Sequence, residues 1–160
     1  MVGGTFSLSE SAAKTLTIAI FYRGAFCPLC MNYIQEIESN YHKAADAGFD
    51  IVLVSMDTKE KAKESTKDIA SKIPIGYGMT EEVARSWGLY ISSGRPNTAE
   101  PAVFSEPGMF VIRPKGDNTI FMAMTQSAPF TRPSIEQLIG GLQYAVENNY
   151  PARGNITKLE

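Results

Sequence analysis

Two cysteines, Cys27 and Cys30, constrain this 160-residue sequence more than any other feature, because they form a single Cys-x-x-Cys. So low a count excludes a disulfide-rich secreted scaffold. A structural zinc site ordinarily takes about four Cys or His ligands. The only histidine is His42, so one chain cannot close such a site. The pair is therefore redox chemistry or an accident, and its surroundings decide which.

Residues 16–22 (Leu-Thr-Ile-Ala-Ile-Phe-Tyr) are β-branched and aromatic with almost no polar content, and predict a buried strand. Pro28 then sits where the first residue of a helix would be. Cys30, Ile34, Ile37, Tyr41 and Ala44/Ala45 recur at four-three-four-three spacing, one face of an amphipathic helix that Gly48 ends. A second apolar strand spans 50–56, completing a βαβ unit.

Beyond it, Asp57-Thr58-Lys59-Glu60 opens a polar helix running to about Lys72, and Ile73-Pro74-Ile75 predicts a short strand. Thr80 caps a brief helix carrying Val83, Ala84 and Trp87, stopped by Gly88. Residues 92–106 show no sustained period and are expected to form a long loop. Residues 109–113 and 119–124 predict a hairpin turning through Pro114-Lys115-Gly116-Asp117-Asn118. The final helix starts between Thr131 and Ser134 and buries Ile135, Leu138, Ile139, Leu142, Ala145 and Val146. Gly140-Gly141 within it costs about 1 kcal/mol per glycine relative to alanine, so close packing is expected there. This order is the thioredoxin-type α/β layout: one domain over 1–160, with a central mixed β-sheet flanked by helices on both faces.

The motif's position supplies its chemistry. Cys27 falls at the strand–helix junction, where unpaired N–H groups and the helix dipole stabilise an anion. A thiol placed so commonly titrates at roughly 3.5–7.5 in place of ~8.5. Cys30 belongs to the buried stripe. Cys27 is thus expected to be exposed and attacking, and Cys30 shielded and resolving. Arg23 is either a positive charge beside the thiolate or a solvent-exposed cation at a strand end. His42 lies about 22 Å along the helix from Cys27 at ~1.5 Å per residue, too far to act as its base. Trp87, Met122 and Met124 fit core positions without a cofactor role.

Residues 21–30 (Phe-Tyr-Arg-Gly-Ala-Phe-Cys-Pro-Leu-Cys) resemble the active-site segment of the peroxiredoxin-like branch of the thioredoxin superfamily, the alkyl hydroperoxide reductase and thiol-specific antioxidant proteins. Residues 106–116 resemble the stretch where thioredoxin-fold proteins place a cis-proline, which implies a cis Glu106–Pro107 bond beside the cysteines. Thr5 to Ser9 looks like the end of the family's N-terminal strand pair. The chain also departs from the family pattern. The proline and threonine usually found before the peroxidatic cysteine fall at Ile20 and Gly24, and the usual arginine of the late strand falls at Pro107. The buried acid of thioredoxins falls at Phe21.

Three functions fit these residues. The first is a dithiol oxidoreductase, with Cys27 as nucleophile, Cys30 resolving, and Arg23, Pro28 and Pro107 in support. The second is a thiol-dependent peroxidase with Cys27 peroxidatic. The third is a redox-sensing binding module that uses the 92–106 loop. Thiols carry the electrons in each, so no cofactor and no metal are implied. The expected partners are a protein or small-molecule disulfide, or a peroxide, together with an external thiol reductant. A formal net charge of −2 without a basic block gives no support for nucleic acid. The longest apolar run is far short of the ~20 residues of a membrane span, and Met1-Val2-Gly3-Gly4 lacks a signal-peptide pattern. A cytoplasmic location is expected.

Overall fold

The computed structural model describes residues 15–70, 72–113, 119–154 and 156. Five strands form one mixed sheet in the order β3-β2-β1-β6-β7. Its centre is β1 (Leu16–Phe21), parallel to β2 (Phe49–Val54) on one side and antiparallel to β6 (Gly108–Ile112) on the other. β3 (Ile75–Gly76) extends the parallel half, and β7 (Ile120–Thr125) forms the opposite edge. The segment expected to turn at 114–118, and residues 5–9, lie outside the described residues.

Every residue of β1 is buried because helices cover both faces of the sheet. Leu16, Ile18 and Ile20 pack with α1 (Pro28–Asp46), α2 (Lys59–Thr66) and α4 (Ile135–Glu147). Ala19 and Phe21 point the other way, toward α3 (Glu81–Ser86), and join Phe110 and Trp87. Phe21, Trp87 and Phe110 form an aromatic cluster with ring centroids 4.9 to 5.7 Å apart. Burying each such side chain contributes about 1.5–3 kcal/mol, so the sheet is fixed from both sides.

Several local expectations are corrected. The long loop at 92–106 contains a second, two-stranded sheet, in which β4 (Ile91–Ser93) pairs antiparallel with β5 (Val103–Ser105). Three-residue strands are too short to display a period, so they escape a search for alternation. The segment between them is pinned by Gly94 N–H to Ala102 O at 3.0 Å. The helix after β2 is capped by Thr58, whose Oγ1 accepts from Lys61 N, and Asp57 is left for another task. It stops at Thr66, not near Lys72, because the chain must turn there to bury Ile73 and bond Pro74 O to Leu53 N. Gly140 and Gly141 are not packing contacts: an added Cβ would meet nothing within 4 Å at either position. Val146 is exposed because it falls off the stripe that buries Ile135, Leu138, Ile139, Leu142 and Ala145. No described helix is long and apolar enough to cross a membrane.

Candidate redox site

Cys27 is the N-cap of α1, with extended backbone (φ −101°, ψ 99°), and Pro28 follows in the first turn. The Cys27 Sγ accepts the Cys30 N–H at 3.3 Å, and the two sulfurs are joined as a disulfide with Cα atoms 5.2 Å apart. The helix start and the redox pair are thus one piece of local geometry. The expected contrast in exposure does not hold: Cys27 is 3% exposed and Cys30 1%. Cys27 lines a cleft of about 170 Å³ together with Phe26, Pro28 and residues 98–100. Arg23, Leu29, Arg95 and Pro129 complete that cleft.

The turn from β1 into α1 is held from below by an acid that sequence reasoning placed only at a helix cap. Asp57 Oδ2 accepts the Ala25 N–H at 2.7 Å, and Ser55 Oγ accepts the Asp57 N–H at 3.3 Å. Gly24 has φ +140°, and a Cβ there would sit 2.8 Å from Asp57 Oδ1. The position is closed to the threonine of the family pattern by both backbone and space. Burial pushes the Asp57 carboxyl above its ordinary value, opposed by the Ala25 hydrogen bond and by Lys61. Burial likewise pushes the Tyr22 hydroxyl beneath the turn up to about 12. One signal was available. Strands β1 and β2 run parallel with Phe21 opposite Val54, so the residues after each must meet at the same end of the sheet.

Arg23 is not a solvent-exposed cation. Its Nε approaches Glu106 Oε2 to 3.2 Å without hydrogen-bond alignment, and its Nη2 lies 3.6 Å from Glu100 Oε1. The guanidinium stacks over Phe104 at 4.6 Å and Phe26 at 5.4 Å. Three of these four partners come from the 92–106 segment. Glu106 is itself buried and accepts from Ser92 Oγ at 2.7 Å. The Glu106–Pro107 bond is trans, since no described peptide bond is cis. Residues 105–108 carry the chain straight from β5 into β6, with Glu106 N bonded to Tyr90 O and Pro107 O accepting from Gln126 N. A trans bond serves that extended path at no isomer cost.

On the opposite side of the disulfide lies Arg132, a residue the sequence did not single out. Its Nη2 donates to Cys30 Sγ at 3.1 Å and its Nη1 to Pro129 O at 3.0 Å. It sits just before Ser134, the N-cap of α4, and Glu36 of α1 accepts the Ile135 N–H at 2.8 Å, which fixes that corner. A separation of 102 residues from Cys30 hid this contact. His42 is exposed, as expected.

No curated protein matches the chain in sequence. Among solved structures, a mutant of peroxiredoxin 6 from Arenicola marina aligns with TM-score 0.67 at 19% identity, over 81% of this chain and 61% of that one. The chain therefore spans less than two thirds of that protein. The peroxidoxin BcpB of Mycobacterium tuberculosis aligns with TM-score 0.65 at 16% identity, over 88% and 84% of the two chains. ScoI of Arabidopsis thaliana, whose structure holds copper, aligns with TM-score 0.64 at 19% identity, over 88% and 89%. Neighbours this distant establish the thioredoxin-like fold and leave the chemistry to the site. The alkyl hydroperoxide reductase and thiol-specific antioxidant family model matches residues 1–117, which include both cysteines and Arg23. That match covers most of the sequence, and the chain belongs to the AhpC/TSA family.

Proposed function

We propose that this protein is a thiol–disulfide oxidoreductase that cycles between the Cys27–Cys30 disulfide and the dithiol. The Cys27 thiolate attacks a substrate disulfide, whose S–S bond breaks, so that one substrate sulfur is joined to Cys27 and the other leaves as a thiolate. Cys30 then attacks Cys27 Sγ and releases the substrate as a thiol. The observation that carries this reading is a disulfide at the N-terminus of α1, with Cys27 alone of the pair lining a cleft. At about 170 Å³ that cleft is below the ~300–1,000 Å³ of typical ligand sites. It suits a thiol or disulfide side chain. An external thiol reductant regenerates the dithiol, in keeping with a reducing compartment such as the cytoplasm.

A thiol-dependent peroxidase is the second reading, favoured by the family match. Peroxide cleavage needs donors aimed at oxygens on which charge develops. The polar groups lining the cleft are already engaged: Arg23 with Glu106 and Glu100, Arg95 with Glu100, and Thr98 Oγ1 with Arg95 O. Gly24 and Pro107 add no side-chain donor. Losing one such donor typically costs ~10²–10³ in rate, so disulfide exchange is expected to dominate. Stopped-flow oxidation of reduced protein by hydrogen peroxide, run beside reduction of insulin disulfides, separates the two. Peroxide oxidation of Cys27 orders of magnitude faster than that of free cysteine would make the peroxidase reading the correct one.

A further inference from the structure

Arg132 is a half-buried cation with no carboxylate in ion-pair range among the described residues. Its contacts are Pro129 O, Cys30 Sγ and the face of the Tyr33 ring, with the guanidinium carbon 5.1 Å from the ring centroid. Its Nε has no partner, and it forms no ion pair among the described residues. Leaving a buried charge uncompensated is strongly unfavourable, and burial lowers the Arg132 pKa accordingly. A guanidinium nonetheless remains charged in proteins.

The neighbouring groups do not supply the missing anion. Tyr33 of α1 is held neutral by a burial-raised pKa. Glu36 of α1 is spent on Ile135 N. Glu106, paired with Arg23 and accepting from Ser92, forms no ion pair with Arg132 and attracts it less than Arg23 repels it. The remaining neighbour is Cys30. A disulfide sulfur is a weak, neutral acceptor, whereas a thiolate is a full anion.

We propose that Arg132 is the counter-ion of a Cys30 thiolate, so that the site is electrostatically complete only when reduced. Resting on the dithiol reading above, this fixes the direction of reduction. A reductant thiolate attacks Cys27 Sγ from the cleft and forms a new S–S bond there. The Cys27–Cys30 bond breaks, and its electron pair passes to Cys30 Sγ beside Arg132 Nη2. A second reductant thiolate attacks the sulfur of the first reductant molecule, leaves with it as a disulfide, and frees Cys27 as a thiolate that takes a proton from water. Two reductant thiols are thus oxidised to one disulfide while the protein gains two electrons. Stabilising the reduced form makes the couple more oxidising, and the same thiolate is the nucleophile that resolves a mixed disulfide on Cys27.

The test is the titration of Cys30 as the only thiol, in Cys27→Ser protein, followed by thiolate absorbance in the ultraviolet. With Arg132 as counter-ion the midpoint lies below about 7.5; burial without a counter-ion would leave it at or above the free-thiol value of ~8.5. Any midpoint above about 7.5 overturns the proposal, and this needs no change at Arg132. Adding Arg132→Met should raise the midpoint by at least one unit, about a tenfold loss of thiolate near neutral pH, and Arg132→Lys should restore part of it. In otherwise wild-type protein, Arg132→Met should shift the equilibrium with glutathione toward the disulfide at least tenfold, about 30 mV for a two-electron couple. A change below twofold in a folded Arg132→Met protein would overturn the proposal as well. Failure of the dithiol reading shows up separately, as wild-type protein that does not exchange with glutathione or insulin whatever the midpoint of Cys30.

Discussion

The two arginines flanking the disulfide have opposite surroundings. Arg23, on the Cys27 side, is held by two carboxylates and two aromatic rings, and its charge is spent on structure. Arg132, on the Cys30 side, has a carbonyl, a ring and a sulfur, and its charge is unspent. The cation that the sequence offers beside Cys27 therefore locks the 92–106 segment onto the β1–α1 turn. The cation that the sequence hides is the one placed to act on sulfur. Proximity in sequence to a reactive residue says little about which charge that residue feels, because a paired charge is largely cancelled at its partner.

The largest effect tests the assignment of the two sides. Cys27→Ser should abolish disulfide reduction, and Cys30→Ser should retain the first attack and accumulate mixed disulfides on Cys27, read by mass spectrometry under non-reducing conditions. Mixed disulfides trapped on Cys30 in the Cys27→Ser protein would place attack on the Arg132 side and reverse the comparison.

Next comes stability of the oxidised protein in urea. Arg23→Leu strands Glu106, a buried acid, and should cost about 3–5 kcal/mol, the range for breaking a buried pair. Arg132→Met strands no acid and removes two hydrogen bonds, one of them to a weak sulfur acceptor, and should cost about 1–2 kcal/mol. Equal losses would erase the contrast between a spent and an unspent charge.

A smaller effect concerns the support beneath Cys27. Asp57→Ala removes the acceptor for Ala25 N and should cost about 1.5–3 kcal/mol, the range for hydrogen bonds to charged groups. Its pH dependence has a definite sign. Because the native pKa lies above the ordinary 3.8, Asp57 binds its proton more tightly folded than unfolded. Its contribution is fully present below that ordinary value and is lost as pH rises through the raised native one. Asp57→Asn should flatten this decline, measured as urea midpoints across the acid range. An unchanged slope would mean that the raised carboxyl is not Asp57.

The smallest expected effect is a gain far from the redox pair. Gly140→Ala and Gly141→Ala meet no neighbour, and each should stabilise α4 by about 1 kcal/mol with redox rates unchanged. Destabilisation there would mean that the glycines serve an approach this chain alone does not display.

The strands near 16–22 and 50–56 are legible in the sequence as unbroken apolar runs, and the helix from Pro28 and the final helix because their apolar residues recur at helical spacing. The Cys27 N-cap and Pro28 are legible because a helix start is local chemistry, decided within about four residues. The β4–β5 pair is not, since each strand offers three residues and its pairing is set across a loop. The trans Glu106–Pro107 bond was not legible either, because an isomer is chosen by where the chain must go next. Asp57 lay between the two cases: the parallel pairing of β1 and β2 brings it to the turn, but its cap-like sequence gave it a plainer role.

The sequence by itself determined the α/β layout and the place of a redox pair at a helix N-terminus. Hydrophobic periodicity and capping act over neighbouring residues, and the pattern is written where the force acts. Only the tertiary structure decided which charges face the sulfurs and how far Cys27 is covered. It set Asp57 under the turn, neutralised Arg23 and brought Arg132 to Cys30 across 102 residues. Electrostatic interaction depends on distance through space and on the water removed from between the groups, and neither quantity exists until the chain has folded.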